Sequence, residues 1–221
     1  PPGVFRGGGG GGAAPAALWL AAAGVGRLLL ADDDKLHISN LQRQILYRSA
    51  DCGKAKASLA QRQLQALNPQ TETIALQARM DEAQLRELAP QVDLVLDCSD
   101  NMTTRQAINA ACVASGTPLI SGSAVGFGGQ LLVISPPWQK GCYRCLWPDS
   151  SEPERNCRTA GVLGPVVGTI GTLQALEALK MLAGQHSALD GQLRLFDGRQ
   201  QTWRTLSLTR DPHCPVCGGD K

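Results

Sequence analysis

The sequence has no excess of charge of either sign and no long apolar run. Its 21 Lys and Arg residues are balanced by 19 Asp and Glu residues, which leaves a formal net charge of +2. This balance creates no large field that would recruit nucleic acid or an anionic membrane surface. No stretch of about 18 apolar residues is present, so no transmembrane helix is predicted. We therefore expect partners to be recognised by local sites, with neither nucleic acid nor a membrane among them.

The cysteines are not distributed as in a secreted disulfide scaffold. Four of the eight form two Cys-x-x-Cys pairs, Cys142/Cys145 and Cys214/Cys217. Four thiolates at this spacing are typical of a tetrahedral structural zinc site, with two disulfides or four ordinary thiols as the alternative. The segment between the pairs is far longer than the spacer of a nucleic-acid-binding zinc finger, so Zn²⁺ would join two distant parts of one fold. This usage favours a reducing, cytoplasmic location.

The first 12 residues contain too much glycine to predict regular structure. The chain begins with proline rather than methionine, and Gly7 to Gly12 is an uninterrupted glycine run. Glycine loses more conformational freedom than any other residue when it is fixed in a strand. We therefore expect residues 1–12 to be a truncated or irregular segment, and the sheet to lack a strand before the glycines.

Downstream of the glycines, predicted helices and strands alternate. Alternation through the first 120 residues indicates a Rossmann-like α/β fold, with a mostly parallel sheet wound by helices. The last two strands predict an antiparallel C-terminal extension. We expect a single domain over 13–221, with a nucleotide-binding part at about 13–135 and a zinc and loop part at about 136–221. Helices are predicted over 13–23, 54–67, 81–89, 103–115 and 166–183, and strands over 27–31, 71–77, 92–98, 118–121, 130–135, 192–196 and 202–209.

A glycine-rich loop precedes the first predicted helix. Gly8, Gly10 and Gly11 would let backbone N–H groups approach a phosphate, and the start of the helix adds positive potential there. A low-complexity linker is the alternative, because any glycine pattern fits within such a run. Asp32 strengthens the prediction, since a carboxylate at the end of the next strand, about 20 residues on, can accept both hydroxyls of a ribose. The competing interpretation of Asp32 and the two aspartates after it is a solvated strand end.

Two cations and a carboxylate follow this expected nucleotide site. Asn40 and Arg43 lie shortly after it, and Lys56 adds an ammonium group that can neutralise phosphate charge. Asp100 follows a predicted central strand, where it can hold Mg²⁺. Each cation alone is more often an ordinary surface residue. Together they suit nucleotidyl chemistry, whereas a nicotinamide-dependent oxidoreductase, which could share the loop and the acidic residue, would not need them.

Several segments of the sequence resemble the ThiF/MoeB/HesA branch of the ubiquitin-activating superfamily. The similarity extends from about residue 13 to residue 219, and the last two segments are most similar to the ThiF members of this branch. The segments are Ser39–Gln44 (SNLQRQ), Leu96–Asn101 (LDCSDN), Cys142–Asp149 (CYRCLWPD), Glu152–Val162 (EPERNCRTAGV) and Cys214–Gly219 (CPVCGG).

The resemblance implies an enzyme that uses ATP to adenylate the C-terminal Gly-Gly carboxylate of a small β-grasp sulfur carrier protein. In the ThiF members the carrier is ThiS, and the product becomes a thiocarboxylate that supplies the thiazole moiety of thiamine. In the MoeB members the carrier is the small subunit of molybdopterin synthase, which makes this the nearest alternative. The resemblance further implies a homodimer and a sulfur-donating enzyme as partner. A non-catalytic, zinc-stabilised binding module is the alternative from another class.

The resemblance also implies roles for the residues singled out above. The glycine loop and Asp32 would hold ATP, and Asp100 would bind Mg²⁺. Asn40, Arg43 and Lys56 would bind the phosphates. Family members begin with an arm that contains an Arg-Tyr-Ser-Arg-Gln-type motif, which this sequence does not show.

Cys157 is a further candidate, for sulfur transfer rather than for adenylation. It lies in a polar segment beside Arg155 and Arg158, whose charges favour the reactive thiolate. In ThiF-like proteins the matching cysteine lies on a mobile crossover loop and can bond covalently with the carrier. A structural thiol is the alternative, because neighbouring arginines need not point at the sulfur.

Overall fold

The computed structural model describes residues 3–7, 13–31, 56–76, 80–148 and 161–219. Within these residues strands and helices alternate, and the predicted α/β class is confirmed. The strands are β1 Gly3–Gly7, β2 Arg27–Ala31, β3 Glu72–Leu76, β4 Leu94–Asp97, β5 Leu119–Val125, β6 Gly128–Ile134, β7 Gln192–Asp197 and β8 Thr202–Ser207. The helices are α1 Ala13–Ala22, α2 Lys56–Leu67, α3 Glu82–Leu88, α4 Met102–Ser115, α5 Tyr143–Leu146 and α6 Gly164–Leu182, with a short 3₁₀-helix at Ala89–Gln91.

All eight strands form one sheet, in the order β3-β2-β1-β4-β5-β6-β7-β8. The strands from β3 to β5 pair in parallel, and those from β5 to β8 pair antiparallel. The predicted antiparallel extension is therefore confirmed, but it begins at β6 rather than at β7. Only Gly126 and Phe127 separate β5 from β6, with Val125 paired to Gly128. Two residues can join antiparallel neighbours but not parallel ones.

The expectation that no strand precedes the glycines is wrong. Gly3–Gly7 forms β1, which lies between β2 and β4, with Phe5 in register with Leu29 and Val95. Hydrogen bonding to a neighbour on each side offsets the poor strand propensity of the glycines, because strand formation depends more on context than on composition. The N-terminal segment is thus regular over residues 3–7, and residues 8–12 lie outside the described part of the chain.

Helices cover both faces of the sheet. Leu28 and Leu30 of β2 pack in a core with α1, α2 and α6, whereas Leu29 packs in a second core with α3 and α4. Successive side chains of a strand point to opposite faces, so an apolar run such as this one is buried on both sides. Among the described helices, none has the length and apolar character that a membrane crossing requires.

Candidate functional site

The carboxyl ends of three parallel strands meet at one edge of the sheet. Gly7, the last residue of β1, is in register with Ala31 at the end of β2 and with Asp97 at the end of β4. The strand order reverses at β1, since β2 and β3 lie on one side of it and β4 and β5 on the other. In open α/β sheets the crevice beyond the strand ends at such a switch point is the usual ligand site.

Three of the groups predicted from the sequence follow these strand ends along the chain. The glycine loop continues directly from Gly7, Asp32 continues from Ala31, and Asp100 follows the end of β4. The segments that carry these groups therefore begin at one edge of the sheet. The loop also leads into α1, which begins at Ala13 as predicted.

Most of the predicted nucleotide-binding residues lie outside the described part of the chain, so their roles stay predictions. Of Lys56 the structure describes only the backbone, as the first residue of α2. The predicted residues that lie outside are Gly8, Gly10, Gly11, Asp32, Asn40, Arg43 and Cys157.

The turn that carries Asp100 is held by hydrogen bonds from several directions. The Ser99 amide donates to Asp97 Oδ1 at 2.8 Å, and Arg105 donates to the Ser99 carbonyl through Nε and Nη2 at 3.3 and 2.9 Å. Asn101 caps α4 by accepting from the Thr104 amide at 2.8 Å. Such a cap satisfies an otherwise unpaired amide at the helix start. The partly exposed Asp100 thus lies on an ordered connection between β4 and α4.

Asp97 is a second carboxylate of this turn, and the sequence analysis did not identify it. Its side chain is buried. Burial raises the pKa of the Asp97 carboxyl above its usual value, while the charge of Arg105 and hydrogen bonds from Ser99 act in the opposite direction. An acidic residue at the end of an otherwise apolar strand was the available signal. Because Asp97 points away from solvent, we assign it to the support of the turn.

The four paired cysteines form one cluster. Their sulfur atoms all lie within 4.8 Å of one another. The Cys142–Cys214 and Cys145–Cys217 Sγ distances are 3.9 and 3.4 Å. A tetrahedral Zn²⁺ with Zn–S bonds of about 2.3 Å places its sulfurs about 3.8 Å apart, whereas a disulfide requires about 2.0 Å. The disulfide alternative is therefore wrong, and the geometry and soft thiolate donors fit a single Zn²⁺.

The surroundings of the cluster supply hydrogen bonds to sulfur. Asn109, fully buried in α4, donates from Nδ2 to Cys142 Sγ at 3.5 Å and accepts from the Tyr143 amide at 3.0 Å. The Asp211 amide donates to Cys145 Sγ at 3.5 Å. Burial raises the pKa of the Cys142 thiol, and the Asn109 hydrogen bond opposes that rise. Donors of this kind orient metal ligands and stabilise their charge.

The role of Asn109 beside the cysteine cluster was also not predicted from the sequence. It occupies a core-facing position of α4, next to Ile108 and three residues before Cys112, both of which are buried. A polar side chain at an apolar helical position was the signal, since a buried amide is normally hydrogen-bonded. Its partner at Cys142 lies 33 residues away and could not be found from local pattern.

Comparisons with known proteins agree with this architecture. The ThiF family profile matches residues 4–216. The chain is 61% identical over 202 residues to the sulfur carrier protein ThiS adenylyltransferase of Escherichia coli K12. The alignment covers 91% of this chain and 80% of that protein. It is 42% identical over 200 residues to the molybdopterin-synthase adenylyltransferase of the same organism, with 90% and 80% coverage. It is also 42% identical over 202 residues to the SAMP-activating enzyme E1 of Haloferax volcanii, with 90% and 74% coverage.

Solved structures share the fold at lower sequence identity. Escherichia coli MccB crystallised with ATP superposes with a TM-score of 0.85 at 22% identity, over 98% of this chain and 66% of that chain. Another crystal structure of Escherichia coli MccB gives a TM-score of 0.86 at the same identity, over 99% of this chain and 66% of that chain. The chain therefore spans about two thirds of the length of these structures. At this identity the likeness establishes the arrangement of strands and helices only.

The cysteine cluster is expected to hold one Zn²⁺ per chain and to stabilise the fold. The ion would join α5 to the segment after β8, and its binding free energy adds to the free energy of folding. Removing it should lower the melting temperature, by roughly 2–4 °C for each kcal/mol lost in a domain of this size. Metal analysis and thermal melting before and after chelation measure both effects.

A matched pair of variants distinguishes the cluster from other buried thiols. Cys142→Ala should lose the ion, whereas Cys112→Ala, which removes a buried thiol of α4 outside the cluster, should retain it. An unchanged melting temperature after verified removal of zinc would contradict the structural role.

Proposed function

The chain belongs to the ThiF family, and we propose that it adenylates the C-terminal Gly-Gly carboxylate of a ThiS-type sulfur carrier protein at the expense of ATP. The 61% identity to the Escherichia coli ThiS adenylyltransferase, over 80% of that protein, is the observation that carries this proposal. The edge at the end of β1 supports it, because the glycine loop, Asp32 and Asp100 follow the ends of neighbouring strands in the chain.

The proposed reaction needs no activated side chain as nucleophile. An oxygen of the carrier carboxylate attacks the α-phosphorus of ATP and forms a carbon–oxygen–phosphorus anhydride. The bond between the α-phosphorus and the bridging oxygen breaks, and pyrophosphate leaves with the electron pair. Catalysis then consists of positioning the two anions and neutralising the charge that grows on phosphate. The tail of the carrier would reach the ATP across the carboxyl ends of the strands.

We assign the residues of the chain to these tasks by their chemistry. Backbone amides of the glycine loop and the Asp32 carboxylate would hold the nucleotide. Asn40, Arg43 and Lys56 would bind its phosphates. Asp100 would hold Mg²⁺, which when bound neutralises charge on the phosphates. The ordered turn between β4 and α4 supports this role for Asp100, because its backbone is fixed by the Arg105 and Ser99 hydrogen bonds.

The later chemistry would involve Cys157 and a second enzyme. We propose that sulfide-level sulfur from a sulfur-donating enzyme attacks the acyl carbon of the adenylate, and that Cys157 acts in the transfer. The bond from this carbon to the AMP oxygen breaks, so that AMP leaves and a thiocarboxylate remains. The product would supply the thiazole moiety of thiamine. Zinc in the four-cysteine cluster would have a structural role only. None of the six described cysteines forms a disulfide, which supports a reducing, cytoplasmic location.

We also propose that the chain forms a homodimer, and that the apolar surface formed by α1 and α6 is the contact between the two copies. Helix α1 contains no charged side chain and no polar one. It buries Ala17 and Leu20 against the sheet, yet leaves Trp19 56% exposed and, with α6, lines a groove of about 860 Å³. A helix that is apolar all round is normally covered on both sides. Leu67 and Leu176 extend this face, which we assign to contact with a second copy of the chain.

Exchange of labelled pyrophosphate into ATP tests the proposed reaction. We expect exchange only when a carrier that ends in Gly-Gly is present, because the carboxylate is the nucleophile. A ThiS-type carrier should support faster exchange than the small subunit of a molybdopterin synthase. The opposite order would favour the MoeB-type activity. Binding of a carrier without exchange would favour the non-catalytic binding module.

Two variants separate adenylation from sulfur transfer. Asp100→Asn should abolish exchange, because an amide does not supply the negative charge that Mg²⁺ requires. Cys157→Ser should leave exchange largely intact and impair thiocarboxylate formation, measured by mass spectrometry of the carrier. Loss of exchange in the serine variant would contradict this division of labour.

The dimer is tested by changing its proposed contact face. Trp19→Glu should shift the chain toward monomer in sedimentation velocity, because a buried unpaired carboxylate is costly. Leu206→Glu is the matched control, since Leu206 is 44% exposed on β8, outside the α1 and α6 face. A monomeric unaltered chain, or a dimer that is equally stable in both variants, would contradict the assignment.

A further inference from the structure

Gln174 is a buried amide on the face of α6 that packs on the sheet. Only 1% of its surface is exposed. Val167, Ile170 and Ala178, which share that face at helical spacing, are buried and apolar. A buried amide costs free energy unless its donors and its acceptor are paired. The hydrogen-bond partners of the Gln174 amide therefore indicate its role.

The amide of Gln174 binds the end of β4. Its Nε2 atom donates to the Asp97 carbonyl at 3.0 Å and to the Ile120 carbonyl of β5 at 3.2 Å. Its Oε1 atom accepts from Cys98 Sγ at 3.5 Å. Asp97 is the last residue of β4, and Cys98 is the first residue of the turn that carries Asp100. One side chain of α6 thus holds the last residue of β4 and the first residue of the turn, and ties them to β5.

Gly122 of β5 provides the space for this amide. A Cβ atom at Gly122 would lie 2.4 Å from both Cδ and Oε1 of Gln174, and 2.8 Å from Nε2. These distances are well below van der Waals contact, so any larger residue at 122 would displace the amide. The hydrogen bonds of Gln174 therefore depend on a glycine at this position.

The turn is held from the other face of the sheet by Arg105. Its guanidinium donates to the Ser99 carbonyl from α4, while Gln174 acts from α6. A catalytic group must keep its place to within about 0.5 Å, which requires supporting residues that are themselves locked by packing and hydrogen bonds. Gln174 meets this requirement through burial and through the use of its donors and its acceptor.

We propose that Gln174 is a positioning residue for adenylation, which sets the place of the Asp100 carboxylate by hydrogen-bonding the Asp97 carbonyl, Cys98 and the Ile120 carbonyl. The inference rests on the proposed function, in which Asp100 holds Mg²⁺. It adds a residue of α6, 74 positions after Asp100 in the sequence, to the groups that determine how the metal is bound. Gln174 itself contacts neither ATP nor the carrier in this proposal.

The test compares variants that lose the amide with variants that only weaken packing. Gln174→Met keeps the length of the side chain but removes its hydrogen bonds, and Ile170→Ala creates a packing defect one turn earlier on the same face. In ATP–pyrophosphate exchange, Gln174→Met should raise the half-saturating Mg²⁺ concentration by about 10- to 100-fold. KM for the carrier should stay unchanged. Ile170→Ala should lower the melting temperature without altering the Mg²⁺ dependence.

A second pair of variants keeps the proposal testable if Gln174→Met does not fold. Gly122→Ala leaves Gln174 in the chain but displaces its amide, so its Mg²⁺ dependence should change in the same direction. Gly128→Ala is the control, because a Cβ there would meet no atom closer than 3.6 Å. Equal Mg²⁺ dependence in Gly122→Ala and Gly128→Ala would overturn the proposal, as would equal dependence in Gln174→Met and Ile170→Ala.

Amide hydrogen exchange separates this inference from the proposed function. Protection of the Ser99 amide, which donates to Asp97, should fall in Gln174→Met and stay high in Ile170→Ala. Unchanged protection in Gln174→Met would overturn the inference whatever the enzymatic result. Absence of pyrophosphate exchange by the unaltered chain with every carrier would instead refute the proposed function, and Ser99 protection would still decide whether Gln174 holds the turn.

Discussion

The parallel pairing of β1 with both β2 and β4 is the constraint on which the rest of the site depends. Backbone hydrogen bonds on both sides of Gly3–Gly7 bring the ends of three strands into register. The glycine loop follows β1, Asp32 follows β2 and Asp100 follows β4. Because β1 lies between β2 and β4 in the sheet, the strand order alone brings the starts of these three segments together. The proposed nucleotide site lies at this edge because each βα connection leaves the sheet at the carboxyl end of its strand.

Local patterns in the sequence predicted most of the fold because most elements are encoded locally. The largely apolar segment that predicts β2 spans five residues, and each Cys-x-x-Cys pair spans four. Strand β1 was not predicted, because its glycines have low strand propensity and the strand is stabilised by pairing with its neighbours. The two pairs of cysteines indicated a metal, but only the sulfur distances exclude disulfides.

The supporting residues of the site were not predictable in the same way. Gln174 and Asp97 are 77 positions apart, and Asn109 and Cys142 are 33 apart, so no local pattern joins them. What the sequence does show is a polar residue at an apolar helical position in each case. Such a residue indicates that a buried partner exists, while the identity of that partner depends on how the helices pack on the sheet.

The close contact between Gly122 and the Gln174 amide makes substitutions at these two distant positions interdependent. A side chain gained at 122 would collide with the amide, and loss of the amide alone would leave the Asp97 and Ile120 carbonyls without that donor. Neutral drift through single steps is therefore restricted at both positions. A larger residue at 122 is expected mainly in relatives in which a smaller side chain has already replaced Gln174.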